Sequence, residues 1–226
     1  MSDLMEPIKA RLKSDKPVKW LFAGDSITHG ALHTWGHRDY TEHFSERVRY
    51  ELDRRRDIVI KTGVSGWTAA VILDDLEWSV LQFKPDVVAL MIGTNDCHVS
   101  RGGAAGLPGF RENVLAIIDR IAAADRNTAI LLQVPNPIWP EAMNERGALP
   151  LYAEALRQIA RERHLPLVDH CRYWQDAIKE NSIRATAWMN DPLHPGPYGH
   201  LALARLFLQQ LDWWDASSPL GRLFLP

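Results

Sequence analysis

Apolar residues along the 226-residue chain follow two alternating rhythms. Short runs rich in Val, Ile and Leu are separated by longer stretches in which apolar positions recur every three or four residues. Residues 18–23 read as a first buried strand. Tyr40, Phe44, Val48 and Leu52 then mark one face of a helix. Residues 58–61 predict a short second strand. Thr68 stands where it can cap a helix running to Phe83, with Val71, Ile72, Leu76 and Val80 turned inward. Residues 86–92 are apolar on both faces, as a central parallel strand covered on each side requires. Residues 108–124 are helical, with Val114, Ile117, Ile118 and Ile121 on one face. A fourth strand at 128–134, a helix at 149–163 and a fifth strand at 165–169 follow, and Pro197 opens a last helix that ends at Leu211.

This alternation predicts an α/β fold with right-handed crossovers. The expected architecture is three-layered and doubly wound (flavodoxin-like), with a five-stranded parallel sheet of order 2-1-3-4-5 and helices on both faces. In such sheets the ligand site lies beyond the carboxyl ends of the strands, at the switch point beside the first strand. No linker or repeat divides the sequence. Residues 1–226 are therefore read as one domain, ending in an apolar tail at 214–226 that contains Leu220, Leu223, Phe224 and Leu225. That tail either folds back on its own domain or docks on a second subunit, and it is the sole basis for expecting a homo-oligomer.

Four short motifs fall where this fold places a site. Gly24-Asp25-Ser26-Ile27-Thr28 follows the first strand, Gly63-Val64-Ser65-Gly66 the second, and Gly93-Thr94-Asn95-Asp96 the third. Asp191-Pro192-Leu193-His194-Pro195 precedes the last helix. Each is weak alone, because such tripeptides occur by chance in turns. The fold would bring all four to one rim.

With these blocks in this order, the sequence resembles the SGNH, or GDSL, hydrolase family of esterases, lipases, thioesterases and carbohydrate deacetylases. The resemblance spans Gly24 to Pro195. It implies Ser26 as nucleophile, an Asp191/His194 pair as its base, and Ser26, Gly66 and Asn95 as oxyanion donors. Gly66 is chosen over Gly63 because Ser65-Gly66-Trp67-Thr68 matches the family's Ser-Gly-x-Thr pattern. The chain departs from the family at Lys61 and Thr62, where Asn is common, and at Trp67, where Asp often follows the glycine. The α/β-hydrolase elbow is excluded, since Thr28 stands where its Gly-x-Ser-x-Gly motif needs the last glycine.

The residue chemistry agrees. A serine hydroxyl attacks a carbonyl only when a base takes its proton. Imidazole changes charge near neutral pH and suits that task. Asp191, three residues earlier, can accept the other ring N–H and fix the tautomer. The backbone N–H groups of Ser26 and Gly66 and the amide of Asn95 would meet the oxyanion. The expected activity is hydrolysis of carboxylic esters through an acyl-enzyme on Ser26, with a short acyl group such as acetyl, carried on a sugar. A thioesterase or lipase with the same triad, acyl transfer to a sugar, and a non-catalytic glycan-binding module are the alternatives. No cofactor is expected.

His29, His33, His37 and His43 form a second group. The four-residue spacing of the first three invites a zinc site. Gly30 and Gly36 interrupt a helix there and no neighbouring carboxylate completes the set, so no metal is expected and the segment is read as a polar loop rimming the pocket, His29 nearest Ser26. Of nine tryptophans, Trp35, Trp67, Trp139 and Trp188 fall in or beside the rim loops and, with His29, are the candidate substrate contacts. A formal net charge of −2 and a pI near 6.5 give no basic excess for nucleic acid. No apolar run reaches membrane-spanning length and no secretory leader is visible, so a cytoplasmic location and no membrane partner are expected. Cys97 and Cys171 read as two small buried thiols.

Overall fold

A computed structural model describes residues 4–30 and 32–226 of the chain. Five strands, β1 (Lys19–Gly24), β2 (Ile58–Lys61), β3 (Val87–Met91), β4 (Ala129–Val134) and β5 (Leu167–Asp169), form one parallel sheet of order β2-β1-β3-β4-β5. The predicted order is the observed one. Eleven helices are described around it: α1 (Glu6–Leu12), α2 (Ser26–His29), α3 (Tyr40–Glu46), α4 (Ala69–Asp74), α5 (Leu76–Ser79), α6 (Leu107–Ala124), α7 (Met143–Arg146), α8 (Leu149–Glu162), α9 (His170–Glu180), α10 (Arg184–Ala187) and α11 (Pro197–Gln210).

The pleat sends successive strand residues to opposite faces, and each face has its own core. Trp20, Phe22, Ala89, Met91, Leu131 and Val168 pack under α3, α9 and α11 with Phe44, Trp174 and Phe207. Leu21, Ala23, Val88, Leu90, Ile130 and Leu132 pack under α4, α6 and α8 with Ile72, Ile117 and Leu156. The inner strands are buried after their first residues, and β3 is buried throughout, as expected when helices cover both sides. No helix among the described residues is long and apolar enough to cross a membrane.

Several expected elements differ in detail. The helix at 69–83 is broken: α4 ends at Asp74, α5 spans four residues, and a 3₁₀ turn follows at Leu81–Phe83. Ile72, Leu76 and Val80 are buried, but Val71 is exposed. The four-residue spacing of the buried trio defines the inward stripe, and Val71 lies off its edge. The helix begun at Tyr40 passes into a π turn at Arg47–Glu51. Cys97 is buried, whereas Cys171 is only partly so, and both thiols are free. The tail folds back: Leu220 is buried, Leu225 packs against the core, and the Pro226 carbonyl accepts from Arg184 Nε at 3.0 Å and from Trp188 Nε1 at 3.2 Å. Leu223 and Phe224 remain exposed.

Candidate active site

The four motifs meet at the carboxyl end of the sheet. β1 and β3 run in register, with Gly24 opposite Met91, so the loops after them emerge side by side. Gly24 is required there, because a Cβ would stand 2.4 Å from the Met91 carbonyl and 2.5 Å from Thr28 Oγ1. The next residue, Asp25, caps α2 by accepting the Ile27 N–H at 3.0 Å. Ser26 is thus the first residue of α2, and its N–H has no carbonyl one turn back within that helix.

The second loop packs directly on α2, since a Cβ on Gly63 would lie 2.7 Å from the His29 nitrogen. Gly66 adopts φ +83, a left-handed backbone that favours glycine, with nothing within 4 Å of its missing Cβ. Its carbonyl accepts from Arg101 Nη1 at 3.3 Å. In the third loop, Asn95 Nδ2 donates to the Trp67 carbonyl at 3.1 Å, and Asp96 Oδ1 accepts the Ala69 N–H at 2.8 Å. These two bonds tie the third loop to the second.

In the fourth motif an Asx turn does the positioning. Asp191 Oδ1 accepts the backbone N–H groups of Leu193 and His194, both at 2.8 Å. The same carboxylate lies 2.9 Å from His194 Nδ1, which therefore carries the proton, leaving Nε2 free to accept. Ser26 Oγ lies 2.8 Å from that Nε2. Residues 168 positions apart in sequence are thus within hydrogen-bonding reach. Burial pushes the Asp191 carboxyl up, but the two backbone N–H bonds and the imidazole outweigh it and hold the group below the usual carboxylate range.

The expected rim residues are distributed differently. Trp188 is not at the rim: it is 1% exposed and packs edge-on against Trp174, in the core below α11. Trp139 is partly buried, and its Nε1 donates to the Ala185 carbonyl at 2.6 Å. Trp67 is half-buried against Trp78. Trp35 alone of the four is widely exposed, at 73%. His29 Nδ1 is 3.1 Å from Ser65 Oγ.

The histidine group divides. His43 is buried and its proton affinity falls to about 4, because burial penalises the charged ring. His37 is exposed. His33 instead stacks on His194, with ring centroids 3.5 Å apart and planes 6° from parallel. Its Nδ1 lies 3.4 Å from Asp191 Oδ2 and 3.3 Å from Asn190 Nδ2. The carboxylate missing near this group in the sequence is therefore Asp191, supplied from far along the chain. The three donors His33, Asp191 and His194 cluster closely enough to suggest a metal site. The stacking argues against it. An ion about 2.0–2.1 Å from an imidazole nitrogen lies in that ring's plane. Two near-parallel planes 3.5 Å apart offer no point that satisfies both rings.

A serine, its histidine and an aspartate on the loops of a doubly wound sheet, with an asparagine and a glycine loop beside them, define a serine hydrolase class. The chain belongs to the GDSL-like lipase/acylhydrolase family, whose model matches residues 22–202, and it is a carboxylic ester hydrolase. It is 31% identical over 224 residues to an acetylxylan esterase of Geobacillus stearothermophilus, covering 89% of this chain and 97% of that protein. It is 23% identical over 237 residues to a multidomain esterase of Ruminococcus flavefaciens, covering 89% of this chain and 29% of that one. Among solved structures, its fold is similar to that of a catalytic mutant of Axe2, an acetylxylan esterase from Geobacillus stearothermophilus. The TM-score is 0.73 at 24% identity, over 89% of this chain and 99% of that chain.

Proposed function

We propose that Ser26, His194 and Asp191 form the catalytic triad of a short-chain ester hydrolase acting on acetylated carbohydrates. The observation that carries this reading is the 2.8 Å contact of Ser26 Oγ with His194 Nε2, on an imidazole whose other nitrogen is held by Asp191. Ser26 Oγ attacks the ester carbonyl and its proton passes to Nε2. The N–H groups of Ser26 and Gly66 and the second amide hydrogen of Asn95 receive the negative charge on the carbonyl oxygen. Collapse breaks the bond to the alcohol, which leaves with the proton from Nε2. Water then attacks the acyl-enzyme, losing its proton to the same nitrogen, and the acid departs as Ser26 regains its hydrogen. Acetyl on a sugar is favoured by the likeness to an acetylxylan esterase over nearly the whole chain. Trp35, exposed beside His33 on the same loop, is the aromatic face available for a sugar ring.

Labelling with a fluorophosphonate followed by peptide mapping tests the triad. The label is expected on Ser26 and is expected to vanish in His194→Ala. A folded, unlabelled wild-type protein would favour the glycan-binding alternative. Nitrophenyl acetate is expected to turn over faster than nitrophenyl palmitate; the reverse order would point to a lipase with the same machinery.

A further inference from the structure

The loop that carries His33 is held in an unusual shape. Leu32, Trp35 and Gly36 have φ values of +68, +53 and +78. For the two non-glycine residues this left-handed conformation is sterically unfavourable, so other contacts must hold the loop in place. What that shape achieves is visible at its centre. The ring of His33 lies flat on the ring of His194, and its Nδ1 faces the carboxylate that orients His194.

We infer that His33 is a positioning residue of this site: its ring backs the catalytic imidazole, and its Nδ1, 3.4 Å from Asp191 Oδ2, stands within electrostatic reach of the carboxylate that orients His194. The inference rests on the triad proposed above. Backing one face of the His194 ring leaves the imidazole little freedom to swing away from Ser26. Asn190 completes the clamp, since its Nδ2 also reaches Asp191 Oδ2, at 3.3 Å. Two imidazoles over one carboxylate also set a condition on charge. If His33 were protonated, it would draw Asp191 towards itself and set like charge against the imidazolium that forms at His194 during attack. His33 must therefore be neutral for turnover. The groups that face it are His194 and Asp191 on the loop before α11, His29 on α2 and His200 on α11. Burial and the neighbouring His194 lower its proton affinity, and the opposing pull of Asp191 does not restore it.

Two variants separate ring from nitrogen. His33→Phe keeps a stacked face but removes the second imidazole nitrogen beside Asp191, while His33→Ala removes both. The expected result is a fall in kcat of about 10-fold in His33→Ala and a smaller one in His33→Phe, with KM unmoved in both. The acid limb of kcat/KM is expected to shift in His33→Phe to higher pH, by roughly half a unit or more, because the undivided carboxylate and the aromatic face both favour a charged His194. Ser26→Ala, assayed alongside, reports on the triad itself, and fluorophosphonate labelling of each His33 variant shows that the site is folded. If Ser26→Ala is dead while His33→Phe keeps the wild-type acid limb and His33→Ala the wild-type kcat, His33 has no positioning role and the triad stands. If Ser26→Ala remains active, the triad fails, and this inference falls with it.

Discussion

Asp25 separates the end of β1 from Ser26, and its side chain is fully enclosed. One carboxylate oxygen accepts the Ile27 N–H; the other has no hydrogen-bond partner among the described residues. Burial, opposed chiefly by that backbone bond and reinforced by the like charge of Asp96, pushes its pKa up to about 7. Burial likewise raises Asp96 to about 6. The sign for stability follows from linkage. The folded protein keeps a proton on Asp25 that the unfolded chain sheds near pH 4. The stability it contributes is full below about pH 4 and is lost as pH rises through about 7. Asp25→Asn, which retains an oxygen for the Ile27 N–H, is expected to raise the thermal midpoint at pH 8 and to lose that advantage by pH 4. A midpoint difference independent of pH would show that Asp25 titrates ordinarily. Asn95 tests a different residue-scale idea. Asn95→Ala is expected to lower kcat by roughly 10²–10³ with little change in KM, since its amide is engaged fully only by the charged intermediate. Wild-type turnover in steady-state assays of that variant would remove Asn95 from the oxyanion site. At this scale the sequence supplied Ser26, Asn95, Asp191 and His194 as candidates through their motifs. It pointed to His33 only as one of a spaced group of histidines. The contact that distinguishes His33 joins it to residues 158 and 161 positions away, beyond the reach of any local pattern.

At the scale of elements, the site is built by loops that only tight packing brings together. α2 lies against the end of β3 because Gly24 has no side chain, and the second loop lies against α2 because Gly63 has none. Gly24→Ala is expected to destabilise the protein by about 1–3 kcal/mol, through overpacking against the Met91 carbonyl and Thr28. Ser26 would move with α2, so activity should fall alongside stability, as thermal melts and ester turnover on one sample would show. An unchanged melt would mean that the loop relaxes freely. The elements themselves were largely legible. Strands buried on both faces announce themselves as continuous apolar runs, and three helices showed their inward stripe. α9 was not read, because it begins at once from β5 and its polar content masks the few buried positions, His170, Trp174 and Ala177. The break after Asp74 was also hidden. The stripe Ile72, Leu76 and Val80 continues through it, so periodicity alone registers no interruption.

For the whole molecule, the returning tail closes the layer over α10 and α11. Removing residues 220–226 takes away buried Leu220, worth about 1.5–3 kcal/mol, and the carbonyl that Trp188 Nε1 and Arg184 share. The thermal midpoint of that truncation is expected to fall by roughly 5–15 °C, while the Ser26–His194 contact, anchored elsewhere, survives. A melt equal to that of the full chain would show the tail to be a passive covering. The same tertiary arrangement places Trp188 inside. Its position three residues before Asp191 suggested the rim, but packing against Trp174 and the tail takes it to the core.

The sequence by itself determined the α/β alternation, the strand order and the identity of the groups able to do the chemistry. The alternation depends on local periodicity and the candidate groups on short motifs, both written in neighbouring residues, and the strand order follows from the connection rules for such an alternation. Only the tertiary structure decided that His33 stacks on His194, that Asp191 lies beside two imidazoles, and that of the four rim tryptophans only Trp35 is widely exposed. Those outcomes depend on distances between segments far apart in the chain, which are set by how the sheet twists and the loops close rather than by any residue's neighbours in sequence.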